Sequence, residues 1–186
     1  EYTVTFFTGQ CSSMREYTAD IRFDTRSLPF SEAVEDVVKW WETFDGYTPA
    51  PVPDDARQPL YSAWYSYHQD IVPEKILEEC RYFSKLGCKV IILDDGWHTA
   101  LENAGYGSCG DWEVSPEKIP DMKAFADAVH ETGMKFMLWY SVPFIGEHSK
   151  AYERFKDKML SFVDMGGTWG VDPRYPEVRE YLIDIY

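Results

Sequence analysis

Basic residues are scarce in this chain: 18 Lys and Arg stand against 32 Asp and Glu, a formal charge of −14. Such a field repels phosphate backbones and anionic lipid, which argues against nucleic acid and membrane surfaces as partners. Long apolar runs are lacking as well, and none approaches the length that spans a bilayer. No charged-then-apolar signal opens the chain, and nothing fixes a compartment. The 4 cysteines (Cys11, Cys80, Cys88 and Cys109) show no CxxC spacing, so neither a zinc ribbon nor a redox pair is expected. They read as buried or idle thiols. HExxH, carboxylate–His clusters and calcium-loop spacing are missing, so no metal is expected. Gly105-Tyr106-Gly107 lacks the strand–turn–helix setting of a phosphate cradle, and no serine sits in GxSxG. No cofactor is expected either.

Aromatic residues, by contrast, are abundant at 17%, including 7 Trp and 13 Tyr. Ordinary globular usage is roughly a tenth. A core built of large side chains explains this excess. So does a carbohydrate cleft, because the C–H faces of sugars stack on rings.

The most informative stretch is Lys89–Trp97, KVIILDDGW. Val90 to Leu93 is uninterrupted by polar residues, as in a strand buried on both faces of a parallel sheet. Asp94 and Asp95 fall where that strand runs out, the end at which parallel α/β folds bind ligands. Carboxylates there suit sugar hydroxyls, and Trp97 suits a sugar face. An Asp-Gly turn with helix-capping carboxylates is the plainer reading of the same residues.

The pattern along the chain changes once. Tyr2–Phe6 and Tyr17–Phe23 alternate with the period of half-buried antiparallel strands. Ser31 reads as the N-cap of a helix carrying Val34, Val37, Val38 and Trp41 on one face. Tyr47–Leu60 then holds Pro49, Pro51, Pro53 and Pro59, the composition of a stiff connector. Beyond it strands and helices repeat. Tyr61–Tyr67 is β-prone, and Pro73 opens a helix with Ile76, Leu77, Cys80, Phe83 and Leu86 that stops at Gly87. After Lys89–Leu93, the polar stretch Gly96–Pro120 leads to a helix with Met122, Phe125, Ala126 and Val129 facing inward. Gly133 ends that helix, and Lys135–Tyr140 is the third strand. Tyr152–Leu160 reads as a helix, Gly166–Gly170 as a turn, and Pro176–Ile185 as a helix with Val178, Leu182 and Ile185 inward. Tight Gly joints on one side and a long loop after Asp95 on the other are the asymmetry of barrel enzymes.

At 186 residues the chain can hold one full core or part of a larger one. Three βα units cannot close a barrel, which needs eight. The expected fold class is α/β: the first three units of a (β/α)8 TIM barrel at 61–186, preceded by a β-sandwich tail at 1–28 and a helix with connector at 29–60.

The ordered set YSAWYSY, LGCKVIILDDGW, CGDWEVSPEKIP, VHETGMKFMLWY and VDPRYPEVREYL resembles glycoside hydrolase family 36, the melibiase-type α-galactosidases. α-N-Acetylgalactosaminidases and raffinose-synthase relatives lie nearby. The resemblance runs from about Ser31 to Tyr186 and implies a (β/α)8 barrel behind a large β-sandwich domain. It implies that Asp94 and Asp95 hydrogen-bond the galactose O4 and O6 hydroxyls, and that Trp64 and Trp139 line the sugar pocket. Trp97 and Trp112 match positions in the same wall. The implied partner is an α-galactoside oligosaccharide. One departure concerns Tyr140-Ser141-Val142-Pro143, where family members commonly carry a Glu-Pro-Glu-like segment.

Retaining hydrolysis uses two carboxyl groups about 5–5.5 Å apart on opposite sides of the scissile bond. Asp94 and Asp95, adjacent on an extended strand, point to opposite faces and fit binding better than catalysis. The resemblance places the nucleophile at the end of a fourth strand and the acid/base further on, beyond this sequence. No catalytic residue is therefore expected in the chain. Asp111 reads first as a turn-stabilising residue and second as a loop carboxylate near the sugar; His98 reads first as a solvated loop residue and second as a contact to a substrate hydroxyl. Two functions stay open: the sugar-binding part of a family 36 enzyme, or a non-catalytic carbohydrate binder. An open barrel segment exposes strand edges, so a homo-oligomer, most simply a dimer, is expected.

Overall fold

The computed structural model describes residues 3–5, 15–100, 105–164 and 166–185. The chain divides into two compact units, Glu1–Pro51 and Val52–Tyr186.

Among its described residues the first unit contains one helix, α1, Phe30–Trp41. It starts one residue before Ser31, with Pro29 at the N-cap and no side-chain cap. Ser31 is therefore a first-turn residue and not the cap. Proline's preset φ suits a helix start, and its missing N–H is no loss there. Val34, Val38 and Trp41 remain exposed within this unit. Tyr17–Phe23, expected as a strand, is extended chain with no ladder among the described residues. Alternation alone does not make a strand; the backbone needs a partner to bond. The other expected strand, Tyr2–Phe6, has its ends outside the described residues, and residues 3–5 form no ladder.

After a 3-10 turn (Asp54–Arg57), the second unit holds β1 (Leu60–Ser62), a single helical turn α2 (Trp64–Tyr67) and α3 (Pro73–Lys85). There follow β2 (Val90–Leu93), α4 (Met122–Glu131) and β3 (Lys135–Leu138). The three strands form a parallel sheet in the order β1-β2-β3, with Tyr61 opposite Ile91 and Ile91 opposite Phe136. Burial matches the apolar run: Ile91 and Leu93 are fully enclosed with Ile76 and Cys80 of α3 and Val129 of α4. Pro73 occupies the first turn of α3, and Asp121 caps α4 by accepting from the Ala124 N–H at 2.9 Å.

The first strand is shorter than its sequence suggests. Tyr61–Tyr67 does not continue as strand, because Ala63 turns into the right-handed helical region (φ −67°, ψ −19°). The Ala63 N–H to Ile92 carbonyl bond is the last toward β2. β-Propensity reflects fit to a half-buried pleated surface, and Tyr65 is 84% exposed.

The chain after β3 holds a second sheet that sequence periodicity did not anticipate. β4 (Phe144–Gly146), α5 (Lys150–Phe155), β5 (Met159–Val163) and β6 (Thr168–Val171) precede α6 (Pro176–Asp184). β4-β6-β5 is antiparallel, and it packs Ile145, Phe155, Val171 and Val178 into a core of its own. The expected helix over Tyr152–Leu160 ends at Phe155, since Lys156-Asp157-Lys158 interrupts its apolar stripe and Leu160 lies in β5. The expected turn Gly166–Gly170 is mostly β6. Strand pairing across the hairpin, not local composition, decides these segments.

This second sheet is tied to the loop after β2. The Gly146 N–H donates to the Cys109 carbonyl at 2.8 Å, and the His148 N–H to the Gly107 carbonyl at 2.8 Å. Asp111 accepts from the N–H groups of Lys150 (2.8 Å) and Ala151 (2.9 Å), capping α5 from forty residues away along the chain. The structural reading of Asp111 thus holds, over a longer range than a turn.

Candidate functional site

At the carboxyl end of β2 the chain leaves the sheet through Asp94, Asp95 and Gly96. Asp94 is partly exposed; its Oδ1 accepts from the Asp95 N–H at 2.8 Å. No donor among the described residues engages its Oδ2. Asp95 is 2% exposed and held from two sides. Gln69 Nε2 donates to Oδ2 at 2.6 Å, and His98 Nε2 lies 3.0 Å from Oδ1. A carboxylate offers about four lone-pair positions, so two remain on Asp95. The two neighbours are thus not equivalent: one carboxylate is open, the other buried and braced.

Gly96 makes that bracing sterically feasible. Its φ is +104°, and a Cβ there would stand 2.8 Å from Gln69 Cα. Only glycine combines that dihedral with so close an approach. Gln69 is fixed in turn, donating also to the Gly105 carbonyl at 3.2 Å and accepting on its own carbonyl from Lys118 Nζ.

Beside the carboxylates lies an aromatic group. Trp97 and Trp112 stack with centroids 6.2 Å apart, and Trp139 meets Trp112 edge-on at 5.9 Å. His98 lies among them, 4.8 Å from Trp112 and 6.5 Å from Trp139. Trp97 is 1% exposed, so it offers no open ring face; it backs the wall, donating its Nε1–H to the Trp139 carbonyl at 2.9 Å. Trp112 and Trp139 are the partly exposed members. Trp64 stands on α2 just past β1, packed edge-on against His68 at 4.9 Å. Among the described residues no ring contact joins it to the other three.

His98 differs from its sequence reading: its side chain is 1% exposed, not solvated. The signal was available in the Asp95-x-x-His98 spacing, which a tight turn closes into contact. Gln69 carried no such signal, since it comes from a different βα unit. Tyr106 was likewise unmarked. Its ring lies 5.4 Å from Trp139, and burial, followed by the charges of Asp95, Cys109 and Asp94, pushes its phenol up. Burial also raises the Cys109 thiol, with Asp95 adding to the effect, and pushes the Cys80 thiol up to about 11. Neither is a thiolate nucleophile. Among the described residues no group of three or more His, Cys, Asp or Glu side chains could hold a metal ion, and no helix is long and apolar enough to cross a membrane.

The parallel α/β sheet thus carries paired carboxylates and a group of indoles beyond its strand ends. The comparisons with known proteins specify the family. The sequence pattern of the Melibiase family matches residues 50–173. The α-galactosidase Mel36A of Lactobacillus acidophilus is 34% identical over 110 residues, 58% of this chain and 15% of that protein. The α-galactosidase AgaA of Geobacillus stearothermophilus is 31% identical over 137 residues, 70% of this chain and 19% of that protein. A crystal structure of an AgaA variant in complex with raffinose superimposes with a TM-score of 0.63 at 28% identity, covering 69% of this chain and 18% of that one. The chain belongs to the melibiase family, of the glycoside hydrolase family 36 type. It spans less than a fifth of the length of these relatives.

Proposed function

We propose that this chain is the sugar-binding part of a retaining α-galactosidase that removes terminal α-linked galactose from oligosaccharides. In this reading β1, β2 and β3 are the first three strands of a (β/α)8 barrel, residues 61–186 belong to that barrel, 29–60 connect to it, and 1–28 close a β-sandwich domain. The observation that carries the reading is the pair at the end of β2: an open carboxylate on Asp94 beside a braced one on Asp95.

Galactose O4 and O6 lie on one side of the ring and donate to carboxylate lone pairs. Asp94 Oδ2 and the two remaining lone pairs of Asp95 supply acceptors in a site screened by indoles, where a charge-assisted hydrogen bond is strong. Trp139 presents ring area to the apolar C–H face, with Trp112 beside it in the wall and Trp97 supporting both from behind. Trp64 closes the pocket on the β1 side. None of these groups forms or breaks a bond to the anomeric carbon; they orient the sugar. The nucleophile and proton donor lie on strands other than β1–β3, and the 186 residues alone do not hydrolyse glycosides.

A second reading, a family member that binds carbohydrate without cleaving it, is favoured by one feature. Tyr140-Ser141-Val142-Pro143 replaces the acidic segment commonly found after the third-strand tryptophan. Incubating the intact natural protein with raffinose and with p-nitrophenyl α-galactoside separates the two. Galactose release supports the enzyme; saturable binding without release supports the second reading.

A further inference from the structure

Among the described residues, His98 Nδ1 and Trp112 Nε1 are both buried without a hydrogen-bond partner. They are chemically complementary. An indole N–H can only donate, and an imidazole whose Nε2 carries the proton leaves Nδ1 as an acceptor. Their rings lie 4.8 Å apart at an interplanar angle of 58°. Two isolated orphans would each carry the penalty of an unmade buried hydrogen bond. One pairing removes both.

The backbone of Trp112 points the same way. Its φ is +53°, in the left-handed region. A bulky aromatic residue stays there only where its surroundings over-determine it. Those surroundings are visible: the preceding Asp111 is anchored on the first turn of α5, and the indole is packed among Trp97, Trp139 and Tyr140. The strained residue is thereby held with its indole against His98.

We propose that Trp112 and His98 are positioning residues for Asp95. The Trp112 Nε1–H donates to His98 Nδ1, directly after a small ring rotation or through one water, and this fixes the imidazole in its Nε2–H tautomer. His98 Nε2–H then donates to Asp95 Oδ1 while Gln69 holds Oδ2, so the carboxylate is clamped with its remaining lone pairs toward the sugar. The opposite tautomer would turn a lone pair on Nε2 toward the carboxylate and release that clamp. Neither nitrogen touches substrate; both act through Asp95. The consequence for sugar affinity rests on the galactose reading above, whereas the relay itself does not.

The test uses the intact protein labelled with ¹⁵N-tryptophan and, separately, ¹⁵N-histidine. The Trp112 indole resonance, assigned by its loss in Trp112→Phe, is expected to move upfield in His98→Phe, which keeps an aromatic ring but removes the acceptor. Reciprocally, Trp112→Phe is expected to shift the Nδ1 resonance of His98, so the relay is judged even if one variant fails to fold. Galactose affinity is then measured by calorimetry. Each single substitution is expected to weaken it by about tenfold, the scale of one hydrogen bond, and the double variant no further. His98→Gln, which restores a donor to Asp95, is expected to recover most of the loss. Resonances unmoved by the reciprocal substitutions, or losses that multiply in the double variant, would overturn the relay. A wild-type protein that binds no galactose would instead remove the sugar reading, with the resonances still deciding the relay.

Discussion

The indole N–H of Trp97 donates to the backbone carbonyl of Trp139 at 2.9 Å. This bond joins the turn after β2 to the end of β3, so the wall of the site is braced by a side chain that faces away from solvent. Trp97→Phe leaves that carbonyl without its donor and opens a small void. The expected loss is roughly 1–3 kcal/mol of stability, against about 3–5 kcal/mol for Trp97→Ala. Denaturant midpoints at unchanged slope check this, and a surface-like loss below 0.5 kcal/mol would show that the bond is not structural.

Gly96 and Gly87 separate backbone strain from steric clash. Gly87 has φ +96° with open space where a Cβ would go, whereas a Cβ on Gly96 would stand 2.8 Å from Gln69 Cα. Gly87→Ala is expected to lose about 1–2 kcal/mol from the dihedral alone. Gly96→Ala should lose roughly 1–3 kcal/mol more from overpacking against a neighbouring backbone, and should weaken sugar binding because Gln69 must move off Asp95. Equal melting shifts for the two variants would remove the close approach from the account.

β2 was legible because it is buried on both faces. Val90–Leu93 has no polar interruption, Gly87 and Gly133 mark the ends of helices, and Asp94-Asp95 falls where the apolar run stops. The inward faces of α3 and α4 follow from helical spacing, except at Leu86, which lies past the end of α3 and is 61% exposed. What was not legible depends on partners distant in sequence. β5 and β6 are strands because they pair with each other, and the charged break at Lys156-Asp157-Lys158 looks the same in a helix or a hairpin. Gln69 reaches Asp95 from the preceding βα unit, which no local pattern reveals. Trp97 had the residue type of a sugar platform, but burial on the sheet side of the wall leaves it no free face.

Acid should weaken the second sheet through Asp172. Its carboxylate accepts from the Arg174 N–H at 2.9 Å, from Nε and from Nη2 at 2.6 Å. The Arg174 side-chain and backbone hydrogen bonds hold its pKa below the ordinary aspartate value of 3.8. A carboxyl depressed on folding binds fewer protons in the native state, so its stabilisation is present above the unfolded value and is lost as pH falls through the folded one. Wild type should therefore exceed Asp172→Asn in melting temperature at about pH 7 and lose that advantage toward about pH 3. A difference that grows on acidification would reverse the sign of the argument.

β1 and β3 each pair only with β2 among the described strands, which leaves two open edges on the parallel sheet. Met137 on β3 is 46% exposed and Leu60 on β1 is 47% exposed. Unpaired edges with apolar side chains favour association. The isolated 186-residue chain is expected to sediment as a dimer or larger species and to release no nitrophenol from an aryl α-galactoside. A monodisperse monomer in analytical ultracentrifugation would contradict the first expectation, and turnover above background the second.

In the proposed function the carboxylates ending β2 bind the hydroxyls of a galactoside. Calorimetric titration of galactose into the intact protein and into Asp94→Asn tests it most directly. The substitution keeps the shape of the side chain and the bond from the Asp95 N–H to its carbonyl oxygen, but removes the charge. Wild type is expected to bind saturably, and Asp94→Asn to lose about 1.5–3 kcal/mol of binding free energy, the worth of a hydrogen bond to an ionised acceptor. Unchanged galactose affinity in a folded Asp94→Asn protein would contradict this reading.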